Sequence, residues 1–150
     1  MVGRLLMSSV NCSNTLTKAV KNGSAIFNGY QCSYRILGAR LPTSGSNWLQ
    51  SIIDQNRHHL SVINKIELLG FNGSPTEMQT LKDFIEVTNV LPLSDAVVQK
   101  TINLRKNYKI KLPDVIIAAT ALTYNLILIT RNLSDFQNIE GLLCVDAHLQ

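Results

Sequence analysis

The chain has 150 residues, enough for one domain that buries about 68–70% of its unfolded surface without a disulfide or metal staple. Hydrophobic residues at 45% and charged residues at 16% exclude wholesale disorder, and apolar runs such as residues 115–119 are far too short for a bilayer span, so no membrane association is expected. The net charge of +4 is unevenly placed: the first 53 residues hold Arg4, Lys18, Lys21, Arg35 and Arg40 and no acid, while all ten acids lie from Asp54 onward.

Arg4 and the short Leu5-Leu6-Met7 run do not make a signal peptide. Cys12, Cys32 and Cys144 form no CxxC pair, and an odd count argues against a disulfide framework. A reducing, cytoplasmic setting is the expectation. Residues 1–37 show no sustained period of 2 or 3.6, although 24–27 and 34–37 are candidate strands. They read as an atypical N-terminal segment, out of frame or disordered, ahead of a domain over 38–150.

From Leu41 onward the signals agree. Ser46 followed by Trp48, Leu49, Ile52 and Ile53 predicts a capped amphipathic helix. Leu60-Ser61-Val62-Ile63 predicts a short strand. Asn64-Lys65-Ile66-Glu67 predicts an Asx-capped helix start, with Glu67 three residues beyond the cap and the helix ending near Gly70. Ser74-Pro75-Thr76-Glu77 is a capping box with proline at the first helical position, opening a helix with Met78, Leu81, Phe84 and Ile85 on one face. A strand is expected around 87–91.

Ser94-Asp95 caps a helix whose Val97, Val98, Thr101, Ile102 and Leu104 face inward. Pro113 starts another over 114–124, apolar nearly all round and therefore buried between layers. Residues 126–130 predict a fully buried strand and 142–145 a last edge strand. Strands alternating with helices imply an α/β fold, a central parallel sheet with helices on both faces.

Three acids share one structural context. Glu67 follows the 60–63 strand in the first turn of a helix, Asp114 lies in the first turn of the buried helix, and Asp135 follows the 126–130 strand with Asn132 between. In an open α/β sheet the functional crevice lies outside the carboxyl ends of the strands. Ionised carboxylates gathered within about 4 Å repel by roughly 4 kcal/mol per pair at an effective dielectric of about 20, which a hard cation such as Mg²⁺ or Mn²⁺ would offset. Each acid also has a structural reading: Glu67 as the capping-box partner of Asn64, Asp114 as an ordinary first-turn acid, Asp135 as the cap of a short helix after Ser134.

Residues 104–142, LRKNYKIKLPDVIIAATALTYNLILITRNLSDFQNIEGL, resemble the C-terminal half of PIN-domain ribonucleases, in particular VapC-type toxins of toxin–antitoxin pairs. The resemblance rests on KLPDVIIAATAL, on ITRNLSDF directly after a strand, and upstream on HLSVINKIELLGF; it covers roughly Leu41 to Leu143. It implies a three-layer PIN-like fold over 38–150 and a metal-dependent endonuclease that cuts RNA with acids around Mg²⁺ or Mn²⁺. Carried over, Glu67 and Asp114 are metal ligands, and Asn132 and Asp135 complete the catalytic set from the outer side. The implied partners are RNA, a small antitoxin protein and a second copy of the chain in a homodimer.

One family motif is absent. Such proteins carry a central strand ending in Asp-Thr-Asn, whose Asp completes the metal site, and this chain has no acid before Asp54. The genetic code offers a cause. Codons for residues 27–34, Phe-Asn-Gly-Tyr-Gln-Cys-Ser-Tyr, read one base later can spell Leu-Met-Asp-Thr-Asn-Val-Val-Ile. A single base gained or lost between about Tyr34 and Leu37 would put everything upstream out of frame and remove a central strand, for which 34–37 would partly substitute. The expectation is a PIN fold with impaired cleavage; the alternative is a catalytically inactive PIN-fold protein that binds an antitoxin or RNA.

Among weaker features, Arg105, Lys106, Lys109 and Lys111 read either as an RNA-phosphate patch or as a solvated helix end. His58-His59 has no zinc-like spacing and reads as a surface pair or a pair at the start of a strand; Trp48 reads as a core or dimer contact.

Overall fold

The structure, a computed structural model, describes residues 25–27 and 42–149. Five short strands form one parallel sheet: β1 (Ala25–Phe27), β2 (His58–Ser61), β3 (Asn89–Leu91), β4 (Ile127–Ile129) and β5 (Cys144–Val145), in the order β3-β2-β1-β4-β5. The connecting helices are α1 (Thr43–Asp54), α2 (Val62–Leu69), α3 (Pro75–Glu86), α4 (Asp95–Asn107), α5 (Leu112–Thr123) and α6 (Leu133–Phe136), and a 3₁₀ turn, Ala147–Leu149, follows β5. The α/β architecture with helices on both faces is as the alternating pattern predicts.

The sheet divides the core in two because successive strand residues point to opposite faces. Ile26 and Leu128 join Val97, Leu104, Val115, Ala118, Ala119 and Phe136 on the face covered by α4, α5 and α6. Ala25, Ile127 and Ile129 join Leu49, Ile52, Leu60, Leu68, Leu81 and Ile85 on the face covered by α1, α2 and α3. With helices on both sides, β4 is buried at every residue, which is why it reads as an unbroken apolar run rather than an alternation. The small residues of α5 let it lie close against α4.

β1 corrects the expected loss of a central strand. Ala25–Phe27 occupies the middle of the sheet: Ala25 pairs with His58 and Ile127, Ile26 with His59 and Leu128, and Phe27 with Ile129. The strand comes from ahead of residue 38, from the segment without recognisable periodicity. The candidate strand at 34–37, Cys12, Cys32 and the residues whose shifted reading spells Asp-Thr-Asn lie outside the described residues.

Several boundaries differ from expectation for local reasons. α1 begins at Thr43 behind Pro42, so Ser46 is inside the helix, its N–H donating to the Pro42 carbonyl at 2.9 Å. β2 lies two residues earlier than the pattern suggests, because Ser61 ends the strand by capping α2 and sends Val62 and Ile63 into the helix. The Ser74 box forms as expected, with Ser74 N–H donating to Glu77 at 2.8 Å. Ile102 turns outward, 42% exposed, although Val97, Thr101 and Leu104 face the core. His58 and His59 open β2, the second of the two readings, and His58 is buried rather than superficial: its Nε2 lies 3.1 Å from Thr88 Oγ1 and its ring stacks on Phe84.

Candidate active site at the carboxyl ends of the strands

In a parallel sheet every strand delivers the chain to the same edge. β2 leads through Ser61 into α2, β4 leads through Thr130 and Arg131 to Asn132 and α6, and α5, running back toward the start of β4, sets its own N-terminus at that edge. Glu67, Asp114 and Asp135 therefore converge from three segments far apart in sequence.

The first turn of α2 decides what Glu67 is free to do. Ser61 is the N-cap, its Oγ accepting the Asn64 N–H at 3.2 Å, and Asn64 Oδ1 accepts the Ser61 N–H at 3.0 Å. Asn64 is thus the return partner of the box and not its cap, which corrects the expected Asx-capped start. Glu67 consequently lies beyond the first turn and takes no part in capping. It is exposed at the rim, although partial burial is the largest influence on its carboxyl and raises the pKa; Asp114 raises it further, and the nearby Asn64 side chain opposes them.

Asp114 is half-buried in the first turn of α5, which packs against α2. Burial raises its pKa most, Asp135 adds to the rise, and Lys111 at the head of the helix opposes it. The electrostatic chain runs from Glu67 to Asp114 to Asp135. In each pair the neighbouring acid disfavours the charged form, as like charges do.

Asn132 has a different place. Its Nδ2 donates to Asp135 Oδ2 at 2.6 Å, its Oδ1 accepts from Ser134 Oγ at 2.9 Å, and its N–H donates to Thr130 Oγ1 at 3.1 Å. Both ends of the amide are engaged within the turn, so Asn132 orients Asp135. Thr130, buried at the end of β4, anchors that turn; a hydroxyl closing an apolar strand was the one sequence sign of it. Among the described residues, no group of three His, Cys, Asp or Glu side chains is arranged to hold a metal ion. Of the expected basic patch, Arg105 is held by its own chain, Nη1 donating to the Ile110 carbonyl at 3.0 Å.

The family model of the PIN domain matches residues 44–142, about two thirds of the chain. The chain belongs to the PIN domain family. Among solved structures, this PIN domain is similar to a toxin–antitoxin complex from Klebsiella pneumoniae, at 28% identity and a TM-score of 0.67, covering 83% of this chain and 98% of that one. It also resembles DNA-bound VapBC from Salmonella typhimurium, at 24% identity and a TM-score of 0.66, covering 83% and 98%. VapBC2 of Rickettsia felis, bound to a promoter DNA fragment, superposes with a TM-score of 0.67 at 19% identity, covering 81% and 97%. A search of curated proteins gives no match. The PIN match begins at residue 44, after β1, and so does not include that strand. Among the described residues of this PIN domain, no helix is long and apolar enough to cross a membrane.

Proposed function

We propose that this PIN domain is a VapC-like endoribonuclease toxin whose cleavage is impaired by the lack of the first acid. The observation carrying the reading is the placement of Glu67, Asp114 and Asp135 at the carboxyl ends of the strands, where Asp114 raises the Glu67 carboxyl and Asp135 raises that of Asp114. Oxygen donors that repel one another suit a hard divalent ion such as Mg²⁺ or Mn²⁺. Glu67 and Asp114 would hold it, with Asp135 oriented by Asn132 on the outer side. Such an ion, when bound, acidifies water and offsets charge on a phosphodiester. The site would then act on an RNA strand drawn across the edge of the sheet, with Lys111 beside Asp114 available to a phosphate. A small antitoxin protein is the proposed partner, as in the toxin–antitoxin complexes this fold resembles, and the working form is a homodimer in the cytoplasm.

The carboxyl end of β1 lies between those of β2 and β4, where a family Asp would face Glu67 and Asp114. The next residue in sequence is Asn28. A single-base shift that restores Asp-Thr-Asn would supply the acid there, and residues 38–150, together with the central strand ahead of them, would form the PIN-like domain of either product. The second reading is a catalytically inactive PIN protein that binds antitoxin or RNA, favoured by the acid-free first 53 residues.

An RNA-cleavage assay with Mg²⁺ or Mn²⁺ tests both, using the chain as written, its Glu67→Ala variant and a frame-corrected chain. Metal-dependent cleavage by the chain, weaker than that of the corrected form and lost in Glu67→Ala, supports the nuclease. Activity only after correction supports the inactive reading. Silence from all three overturns the ribonuclease assignment.

A further inference from the structure

Asn64 is wholly buried, a polar residue in the first turn of α2 with the acid Glu67 one turn further along. Its Oδ1 accepts twice from Ser61, from the N–H at 3.0 Å and from Oγ at 3.0 Å. Those bonds fix the plane of the amide and leave Nδ2 a single direction. Nδ2 is buried and has no hydrogen-bond partner among the described residues.

Buried donors are almost always paired, so an orphan beside an acid needs an explanation. Residues three apart share a helix face, which puts Glu67 over Asn64. Residue chemistry points the same way. A capping box is ordinarily completed by Glu or Gln. An Asp here would complete it but turn its second oxygen toward Glu67, and a Ser or Thr would have no donor left to reach the acid. Asn accepts from the cap and donates outward at once.

We propose that Asn64 is a positioning residue for Glu67: its Nδ2 donates to the Glu67 carboxylate and holds it turned toward Asp114. The fold would thereby join the cap that starts α2 to the acid that α2 presents. The inference deepens the proposed metal site and rests on it only for its consequence; the contact itself is a property of the metal-free chain.

The test is ¹H–¹⁵N spectroscopy on the full chain, with the Asn64 side-chain NH₂ pair assigned by its disappearance in Asn64→Asp. In metal-free protein, Glu67→Gln and Glu67→Ala, which leave the cap untouched, are expected to move that NH₂ pair while the Ser61 and Asn64 backbone amides stay in place. An unmoved NH₂ pair overturns the proposal. Mg²⁺ titration supplies the second arm: Asn64→Asp, which keeps an oxygen for Ser61 but loses the donor, is expected to weaken Mg²⁺ binding about tenfold and, with a second carboxylate buried beside Glu67, to lower the melting temperature at neutral pH. Equal or tighter binding by Asn64→Asp overturns the positioning role. Failure of the wild-type chain to bind Mg²⁺ would strike down the proposed metal site instead, and the metal-free spectra would still decide the Asn64–Glu67 contact.

Discussion

The side-chain amide of Asn132 donates to the Asp135 carboxylate at 2.6 Å and accepts from Ser134 at 2.9 Å. A residue bound at both ends is a poor ligand and a good brace. Replacing it with alanine is expected to release Asp135 into solvent. Since this turn is exposed, Asn132→Ala should change stability by less than about 1 kcal/mol while weakening Mn²⁺ binding about tenfold. Calorimetric titration with Mn²⁺ beside thermal melting checks it; a large stability loss with unaltered binding contradicts the brace.

The acids predict a pH dependence. Glu67 and Asp114 both titrate above the usual carboxylate range, burial being the main cause in each. A carboxyl whose pKa is higher folded than unfolded favours the fold when protonated. Its contribution is fully present below the ordinary pKa and is lost as pH rises through the raised one. In metal-free protein, Glu67→Gln should therefore melt slightly above wild type at neutral pH, with the difference closing below about pH 4. Melting curves across that range check it, and a variant less stable than wild type at neutral pH refutes it.

β1 is a stringent point of the fold. Ile26 is completely buried between β2 and β4. Ile26→Ala is expected to cost about 2–5 kcal/mol, a large share of a domain's roughly 5–15 kcal/mol. Denaturant unfolding measures this directly. A loss below about 0.5 kcal/mol, typical of a surface site, would mean that these three residues do not form the middle of the sheet.

A smaller effect is expected at the start of α3, where Ser74 and Glu77 close a box on the surface. Ser74→Ala should cost about 1 kcal/mol, read as a shift of the denaturant midpoint with an unchanged slope.

What could be read in the sequence was what local chemistry decides. Ser74-Pro75-Thr76-Glu77 specifies a helix start within four residues, and the structure has it where the pattern put it. The apolar run of β4 and the small-residue run of α5 announced burial on both sides. The β2–α2 junction was harder, because Val62 and Ile63 suit either element and only the hydrogen bonds between Ser61 and Asn64 settle it. β1 was one of two candidates, since three residues without flanking caps owe their conformation to the strands on either side. Glu67, Asp114 and Asp135 were picked out by their common placement after strands and at helix starts. The engagement of Asn132 and the orphaned donor of Asn64 follow from side-chain directions that spacing does not encode.

The strand order also has a consequence for synthesis. Of the described strands β1 is made first, yet its partner β4 leaves the ribosome only after β2, β3 and the helices α1 to α5 have appeared. A nascent chain ending before Ile127 therefore holds β1 with one flank unpaired, and that flank can recruit strands from other molecules. Closing the seam joins segments far apart in the polypeptide, a distant contact of the kind that slows folding. Emergence of β4, rather than growth of the N-terminal half, is the step that clasps this sheet.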